Sequence, residues 1–423
     1  MKLKYILLTI VFAVATMMCA AAKENPLRVG LFYGSTAKET ATVSSEAGFE
    51  TVQAEDLGIS FVAKLIEGNI VLHSASDDSV IYTGVDGAEV KAVVRDSVFT
   101  VDGKKYRGNV IFRPHDGKIM VINEVMLDDY VCGVVAGEMP SSWPEEALKA
   151  QSVAARCYAL KSLNKHADFG FDLCNTTNCQ VYGGIASETE RTNKAVMETA
   201  GIVASYDNKV VDTLFSSSNG GYAEAAENVW GGSYPYFKTF KDEYEKTDEI
   251  SGAVWTVSLS PEEIKAELKD NGVDIGDILN MEVVKTSESG RVLEVKITGT
   301  TGTKSYTKSY ARTFLGLRSQ LYTIKAPEGS AVYALSSSGQ NKVSGEYFIL
   351  TAEGLDTRKA TAGDGKYVIS GRGYGHGVGM SQWGARYMAE AGHTYEDIIK
   401  YYFKGAQLKD YSELYRSDVV EGV

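Results

Sequence analysis

Short runs of alternating apolar and polar residues characterise the chain from Leu27 to about Gly108. Glycine, aspartate, asparagine and serine separate the four clearest runs, which are Leu27–Phe32, Ile59–Val62, Val90–Val94 and Val98–Val101. Because successive side chains of a strand point to opposite faces of a sheet, this alternation is typical of half-buried strands joined by turns. The pattern predicts a β-rich amino-terminal lobe.

Helical signals appear after a further predicted strand pair, 110–113 and 118–122. A helix is predicted over 144–163, with Ser141 or Ser142 as its cap, because a serine hydroxyl accepts hydrogen bonds from the first turn of a helix. Further predicted helices cover 188–200, 260–268, 380–391 and 395–403, and strands are predicted near 202–206, 210–216, 281–284, 292–297 and 367–370. This mixture of strands and helices indicates an α+β fold.

The amino terminus carries the pattern of an export signal. Lys2 and Lys4 precede an uncharged, mostly apolar run, Tyr5–Ala22, and the small residues Ala20–Ala22 can be recognised by a signal peptidase. The run also approaches the roughly 20 residues that span a bilayer. A cleaved signal peptide and an uncleaved membrane anchor therefore both remain open, and each predicts an extracytoplasmic protein, either secreted or anchored to the membrane.

The charge of the chain limits its partners. The formal net charge of −12 argues against a nucleic-acid partner, since an acidic protein gains nothing from the release of counterions that drives binding to phosphates. It also predicts repulsion from anionic polymers, so the ligand is expected to be neutral where it is held. The 25 tyrosines and four tryptophans suit the binding of sugar rings, although this content is ordinary for an exported β-rich protein.

One carboxyl group is a candidate for acid chemistry. Glu138 lies in the run Gly137-Glu138-Met139-Pro140, directly before the predicted helix. Apolar surroundings that raise its pKa would suit a general acid, whereas the dipole at a helix start favours the charged form. From the residues alone, a surface or capping role is the simpler interpretation.

His166, Cys174 and Cys179 form a second candidate site. Two thiolates and an imidazole can hold zinc, with water or another side chain as the fourth ligand. An exported protein also permits a Cys174–Cys179 disulfide, and Cys132 and Cys157 could pair in the same way. From the residues alone, a zinc site and a disulfide are both compatible with this segment, and either one would be a structural cross-link.

Two glycine-rich turns are further candidates. Glycines alternate over 371–379, but the spacing is not that of a nucleotide-binding loop, so a close approach to another segment or to a sugar explains them better. His376 in this turn is either a ligand contact or a structural residue. The run Ser216–Tyr222 lacks the G-x-S-x-G pattern of a hydrolase. Its hydroxyl and amide groups suit either hydrogen bonds to a sugar or a plain turn.

Several of these features belong to ordered blocks, which are 127–140 with 144–159, then 175–184, then 215–222 with 229–232, and finally 371–385. The blocks resemble, in order, those of the stage II sporulation protein D family and its amidase-enhancer relatives. The resemblance runs from about Leu27 to Leu408, although the segment near 239–343 carries no block.

The resemblance implies a lytic transglycosylase acting on peptidoglycan glycan strands. In such an enzyme one acid protonates the oxygen between N-acetylmuramic acid and N-acetylglucosamine, and then accepts the proton of the muramic acid C6 hydroxyl as it closes onto C1. Glu138 aligns with this acid. The family acts on strands from which a partner cell-wall amidase has removed the stem peptides. The competing interpretation is a noncatalytic glycan-binding module that stimulates such an amidase.

The resemblance also implies a zinc site at His166, Cys174 and Cys179, although the family pattern has histidine where this chain has Asn178. We predict that the serine-glycine turn and the glycine-rich turn line one cleft with Glu138. The expected substrate-binding residues are Ser216, Ser217, Asn219, His376, Ser381 and Gln382 in or next to these turns, and Gln151, Arg156 and Tyr182 in the other family blocks. The predicted domains are an export segment at 1–22, the β-rich lobe at 27–109, a catalytic region at 110–238, an inserted accessory layer at 239–343, and a segment at 344–410 that completes the cleft.

Overall fold

The structure is a computed structural model that describes residues 26–92, 98–327, 332–336, 339–343, 346–351, 354–359 and 365–414. The predicted export segment lies outside these residues. The fold is α+β, as predicted, with strands in several sheets and a β-rich amino-terminal part. Within the described ranges, no helix has the length and apolar character needed to cross a membrane.

The chain divides into two compact units. The first comprises Met1–Asp212 and Gln407–Val423, and the second comprises Thr213–Ala406. The chain thus leaves the first unit after residue 212 and returns to it near the carboxyl terminus. The finer domain boundaries drawn from the sequence stay predictions.

Most strands of the first unit form two six-stranded sheets. The strands are β1 Leu27–Phe32, β2 Thr40–Ser44, β3 Phe49–Glu50, β4 Ser60–Ile66, β5 Asn69–Ser74, β6 Val80–Gly84, β7 Ala88–Ala92, β8 Val98–Val101, β9 Lys104–Arg107, β10 Asn109–His115, β11 Lys118–Val125, β12 Leu173–Cys174, β13 Ile202–Tyr206 and β14 Lys209–Val210. The sheet orders are β12-β1-β11-β10-β7-β3 and β6-β5-β4-β2-β8-β9. The helices are α1 Leu127–Glu138, α2 Glu145–Lys161 and α3 Glu190–Glu198, with short 3-10 turns at Gly34–Thr36, Ala167–Phe169 and Gly184–Ser187.

The second unit contains small sheets and short helices. Its strands are β15 Phe215–Ser216, β16 Tyr222–Ala223, β17 Phe240–Lys241, β18 Val254–Leu259, β19 Ile278–Thr286, β20 Val292–Gly299, β21 Thr303–Thr307, β22 Tyr322–Lys325, β23 Val332–Ser336, β24 Gly339–Val343, β25 Glu346–Thr351, β26 Gly354–Lys359, β27 Tyr367–Arg372 and β28 Met380–Ser381. Its helices are α4 Ala226–Val229, α5 Pro261–Asp270, α6 Tyr310–Thr313, α7 Gln382–Glu390 and α8 Tyr395–Tyr402, with a 3-10 turn at Thr247–Glu249. The last strand, β29 Gln407–Asp410, belongs to the first unit, where it pairs with β13.

The sequence analysis did not predict helix α1. Its valines and two glycines are weak helix formers, but its apolar residues pack into the core, and Tyr130, Val131 and Val134 are fully buried. A Cβ atom at Gly133 would lie 2.5 Å from the ring of Tyr182, so this contact requires glycine. As a consequence, Glu138 ends one helix instead of preceding the next.

The start of α2 also differs from the prediction. The N-cap is Pro144, whose carbonyl accepts hydrogen bonds from Ala147 at 3.1 Å and Leu148 at 3.2 Å. No side chain caps this helix, so the predicted capping by Ser141 or Ser142 is wrong. Both serines lie in the turn that precedes the proline. The predicted cap at Ser260 is confirmed, since its hydroxyl accepts from the backbone N–H of Glu263.

The guanidinium of Arg156 joins three elements of the first unit. This side chain on α2 is fully buried and donates to the Asp128 carboxylate of α1 at 2.6 and 2.8 Å. It also donates to the carbonyl oxygens of Ile202 in β13, at 3.0 Å, and Val196 in α3, at 3.4 Å. A buried cation needs such partners to offset its loss of water, so Arg156 fixes α1 relative to α3 and β13.

Replacing the Arg156 side chain by an apolar one tests this role. We expect Arg156→Met to lower the free energy of unfolding by about 3 kcal/mol, because it leaves Asp128 and two carbonyls without their donor. Lys194→Met is the matched control, since Lys194 pairs with Glu145 at a surface where its side chain is 56% exposed. Urea unfolding followed by circular dichroism measures both, and equal stability of the two variants would contradict the role.

Candidate functional site

Glu138 lies at the surface where α1 ends. Its side chain is half-buried, and Oε1 accepts a hydrogen bond from the backbone N–H of Val181 at 3.3 Å. A Cβ atom at Gly137 would come within 3.4 Å of the Val181 carbonyl, so the two segments pass close together. The carboxyl group is thereby held by the backbone of the segment that follows Cys179.

The same segment begins at the predicted metal site. The donor atoms of His166, Cys174 and Cys179 all lie within 4.8 Å of one another, and His166 Nε2 is 3.3 Å from Cys179 Sγ. One imidazole and two thiolates at this spacing fit three of the four positions of a tetrahedral zinc ion. Asn178, at the position where the resemblance implied a histidine, is exposed.

Hydrogen bonds and burial shift the pKa values of the three candidate ligands in different directions. Burial opposes ionisation of Cys174, but hydrogen bonds from the hydroxyls of Thr176 and Tyr33 outweigh it and lower the pKa of the thiol. Burial raises the pKa of Cys179, and burial together with Lys165 lowers the pKa of His166. A neutral imidazole and a thiol that ionises readily are the forms that bind zinc.

The cysteines of the described residues are free thiols. Cys132, Cys157 and Cys174 are buried, and Cys179 is partly exposed. The Cys157 sulfur accepts a hydrogen bond from the backbone N–H of Ala204 at 3.1 Å instead of bonding to Cys132. The disulfide pairs that the sequence left open are therefore not formed in the structure.

Three predicted substrate-binding residues lie inside the first unit. Gln151 and Arg156 on α2 are fully buried. Tyr182 is nearly so, and its hydroxyl donates to Asn123 Oδ1 at 2.8 Å while its ring packs 5.0 Å from that of Tyr130. In this conformation the contacts of Arg156 and Tyr182 hold the helices and the central sheet together.

The predicted residues of the second unit are brought together by a short parallel pair. Strand β15 pairs with β28, which places Ser216 opposite Ser381. The backbone N–H of Trp383 donates to the carbonyl of Ser217 at 3.1 Å, and that of Gly377 donates to Ser216 Oγ at 3.3 Å. Gln382, the first residue of α7, lies directly beside this pair and is largely buried.

A buried carboxylate that sequence reasoning missed organises the serine-glycine turn. Glu245 accepts hydrogen bonds from the Ser218 hydroxyl at 2.6 Å and from the backbone N–H groups of Asn219 and Gly220, both at 2.9 Å. It also accepts from the hydroxyls of Ser381 and Thr247. Five donors compensate the loss of water around this carboxylate. Glu245 thereby joins the serine-glycine turn to Ser381, which follows the second glycine-rich turn.

Asn219 belongs to the same network. Its side-chain nitrogen donates to Asp242 at 2.7 Å, and its side-chain oxygen accepts from the backbone of Gly221 at 2.9 Å. The Tyr402 hydroxyl donates to the same Asp242 oxygen at 2.7 Å. The amide of Asn219, which is fully buried, is thus engaged within the turn and not presented to solvent.

His376 is half-buried in the second glycine-rich turn. Its Nδ1 accepts the backbone N–H of Val378 at 3.0 Å, so the neutral ring carries its proton on Nε2. Burial and the neighbouring Arg312 and Arg291 lower the pKa of His376 to about 3. The imidazole is therefore neutral at physiological pH. Trp230 covers it, with ring centroids 4.9 Å apart.

Two family models match the chain. The model described as stage II sporulation protein matches residues 115–206, which include Glu138 and the His166, Cys174 and Cys179 group. A domain of unknown function (DUF8618) matches residues 238–340, close to the segment in which no family block was found.

Relatives extend the similarity over most of the chain. An uncharacterized protein of Brachyspira hyodysenteriae is 33% identical over 75% of each chain. The amidase enhancer of Bacillus subtilis is 32% identical over 90% of this chain but only 54% of its own length, so the match spans about half of that protein. Stage II sporulation protein D of Bacillus subtilis is 30% identical over 68% of this chain and 76% of its own. The chain therefore belongs to the stage II sporulation protein D family.

Proposed function

We propose that the protein acts in the bacterial cell wall as a lytic transglycosylase, with Glu138 as its single general acid and base. The observation that carries this proposal is the position of the Glu138 carboxyl group at the surface end of α1. The carbonyl groups that end a helix disfavour a negative charge, whereas the hydrogen bond from Val181 favours it. Opposed influences of this kind suit a group that must exchange its proton in both directions.

The proposed reaction uses this carboxyl group twice. Protonated Glu138 donates its proton to the oxygen that joins N-acetylmuramic acid to N-acetylglucosamine, and the bond from C1 to that oxygen breaks. The carboxylate then accepts the proton of the C6 hydroxyl as the C6 oxygen bonds to C1. The acid is regenerated, water is not consumed, and the new end is an anhydromuramic acid. Ordinary glycoside hydrolysis instead needs a second carboxylate to activate water or to attack C1.

The group of His166, Cys174 and Cys179 supports a structural role for zinc in this proposal. Zinc held there would cross-link the segments that carry the three ligands. Cys179 is two residues from Val181, whose backbone holds Glu138, so the ligand segment and the acid share one short stretch of chain. We expect the metal to position Glu138 and to take no part in proton transfer.

A noncatalytic role is the second candidate. The amidase enhancer among the relatives supports a partnership with a cell-wall amidase, with glycan strands held by the protein but not cut. This role would retain the turns of the second unit and would not depend on the acidity of Glu138. Both candidates place the protein outside the cytoplasm, secreted or tethered by its amino-terminal segment.

A test on glycan strands separates these candidates. We expect purified protein incubated with peptide-free glycan strands to form anhydromuramic ends, and Glu138→Gln to reduce the rate by roughly 100- to 10,000-fold, the usual contribution of a general acid. Liquid chromatography with mass spectrometry measures the product. Glu55→Gln, at an exposed position of the same unit, is the matched control and should retain full activity.

Two outcomes would contradict the proposal in different ways. Absence of anhydromuramic ends with folded wild-type protein would leave the enhancer role. Equal product from wild type and Glu138→Gln would show that another group supplies the proton.

A further prediction concerns the metal content of the protein. Elemental analysis of the protein should find about one zinc per chain. Cys179→Ser should lose it, because only two ligands remain, whereas Cys157→Ala should retain it, because Cys157 lies against Ala204 and outside the ligand group. A metal-free protein in which mass spectrometry finds Cys174 linked to Cys179 would contradict the zinc site.

A further inference from the structure

The second unit carries a group of cationic and aromatic side chains apart from the Glu245 network. We name it the cationic cluster and define it as Lys308, Arg312 and Arg318 with the rings of Trp230 and Tyr374. The two rings are 48% and 56% exposed, which is high for side chains that usually bury their apolar surface. Exposed rings beside cations are typical of a ligand-binding surface.

Backbone contacts hold the members of the cluster in place. The Ser309 N–H donates to the Val229 carbonyl at 3.0 Å, which joins the Lys308 turn to the residue before Trp230. The Gly375 N–H donates to the Arg318 carbonyl at 2.9 Å, and the Arg318 guanidinium lies 5.7 Å from the centre of the Tyr374 ring. The cluster is therefore built by α6 and the residues on either side of it, together with the tryptophan and glycine-rich blocks.

Lys308 lies over the glycine that follows Trp230. A Cβ atom at Gly231 would come within 2.6 Å of Lys308 Nζ, and the φ of Gly231 is +104°. Glycine at this position lets the ammonium group approach the backbone beside the tryptophan. The Lys308 ammonium group therefore lies close to the backbone beside Trp230.

The positive charge of the cluster has no matching carboxylate. Among the described residues, no carboxylate oxygen lies within 4.0 Å of the side-chain nitrogens of Lys308, Arg312 or Arg318. The Nε atom of Arg312 is buried, and no described residue offers it a hydrogen-bond acceptor. A group of three cations without a carboxylate partner favours an anionic ligand.

Arg291 is a further arginine of the second unit, outside the cluster, and has different surroundings. Arg291 is fully buried, donates to the Tyr222 carbonyl at 3.0 Å, and interacts with the carboxylates of Glu224 and Glu245. Burial lowers the pKa of Arg291 to about 10, and the two carboxylates oppose this shift. Burial lowers the pKa of Arg312, and the phenol group of Tyr374 opposes this shift. The Arg312 side chain is partly exposed.

We propose that the cationic cluster binds the carboxylate of a sugar acid, with Arg312 as the main donor and Trp230 as the face against which the sugar ring packs. In peptidoglycan, the lactyl ether of muramic acid ends in a free carboxylate only after the stem peptide has been removed, because the peptide is joined to that carboxyl group. The cluster would thus select peptide-free strands. This identification of the ligand rests on the proposed function.

Binding of small ligands to the full-length protein tests the proposal without requiring catalysis. The ligands are N-acetylmuramic acid and its methyl ester, which differ only in the charge of the lactyl group, measured by saturation-transfer NMR titration at low ionic strength. We expect the acid to bind roughly tenfold more tightly than the ester, as a charge-assisted hydrogen bond provides. Added salt should reduce this preference.

Variants assign the preference to Arg312. Arg312→Gln should abolish the difference between acid and ester, Arg312→Lys should retain part of it because the charge remains, and Arg113→Gln, at a surface arginine of the first unit, should not change it. Equal binding of acid and ester by the wild type, or an undiminished preference in Arg312→Gln, would overturn the proposal.

Two further arms separate related explanations. If glycerol phosphate displaces the sugar acid with higher affinity in an Arg312-dependent manner, the cluster is a phosphate site and the sugar-acid assignment is wrong. Glu138→Gln should bind N-acetylmuramic acid as the wild type does. Absence of glycan cleavage by the folded wild type, together with a retained acid preference, would therefore count against the proposed enzyme and leave the carboxylate site intact.

Discussion

The position of Glu138 depends on the buried guanidinium of Arg156. This group ties α1, through Asp128, to the end of α3 and to β13. Because α1 is anchored in its first turn and buries its apolar residues, its last residue emerges at a defined place, where the backbone of Val181 meets the carboxyl group. A residue that the sequence suggested as a substrate contact thus acts, in the structure, on the placement of the proposed acid.

Local signals in the sequence were sufficient to predict many of the strands and helices. Alternation marked the strands of the amino-terminal lobe, and the capping serine of α5 marked its start. Helix α1 was missed because its glycines argue against a helix, and only the contact of Gly133 with Tyr182, which is distant in sequence, explains them. Glu245 was missed for a similar reason, since its partners Ser218 and Ser381 are 27 and 136 residues away. That Glu138 and the two turns line one cleft stays a prediction.

Charge is distributed unevenly in the second unit. Its buried acids, Glu245 and Asp242, are engaged by hydroxyl, amide and backbone donors that shape the turns, so they are not available to a ligand. The cations of the cationic cluster have no carboxylate partner among the described residues and lie beside exposed rings, although Arg312 and Arg318 donate to backbone carbonyls. The sequence predicted a ligand that is neutral where it is held. The arrangement of Arg312 and Trp230 favours a sugar that carries a carboxylate at this surface.

The central claim is that one carboxyl group transfers a proton twice and that the muramic acid's own C6 hydroxyl, not water, attacks C1. Digestion of peptide-free glycan strands in water enriched in oxygen-18, followed by mass spectrometry of the new ends, tests this most directly. The account predicts anhydromuramic ends that contain no oxygen-18. Reducing ends that carry one oxygen-18 atom would contradict it, because they would identify water as the nucleophile and the protein as a hydrolase.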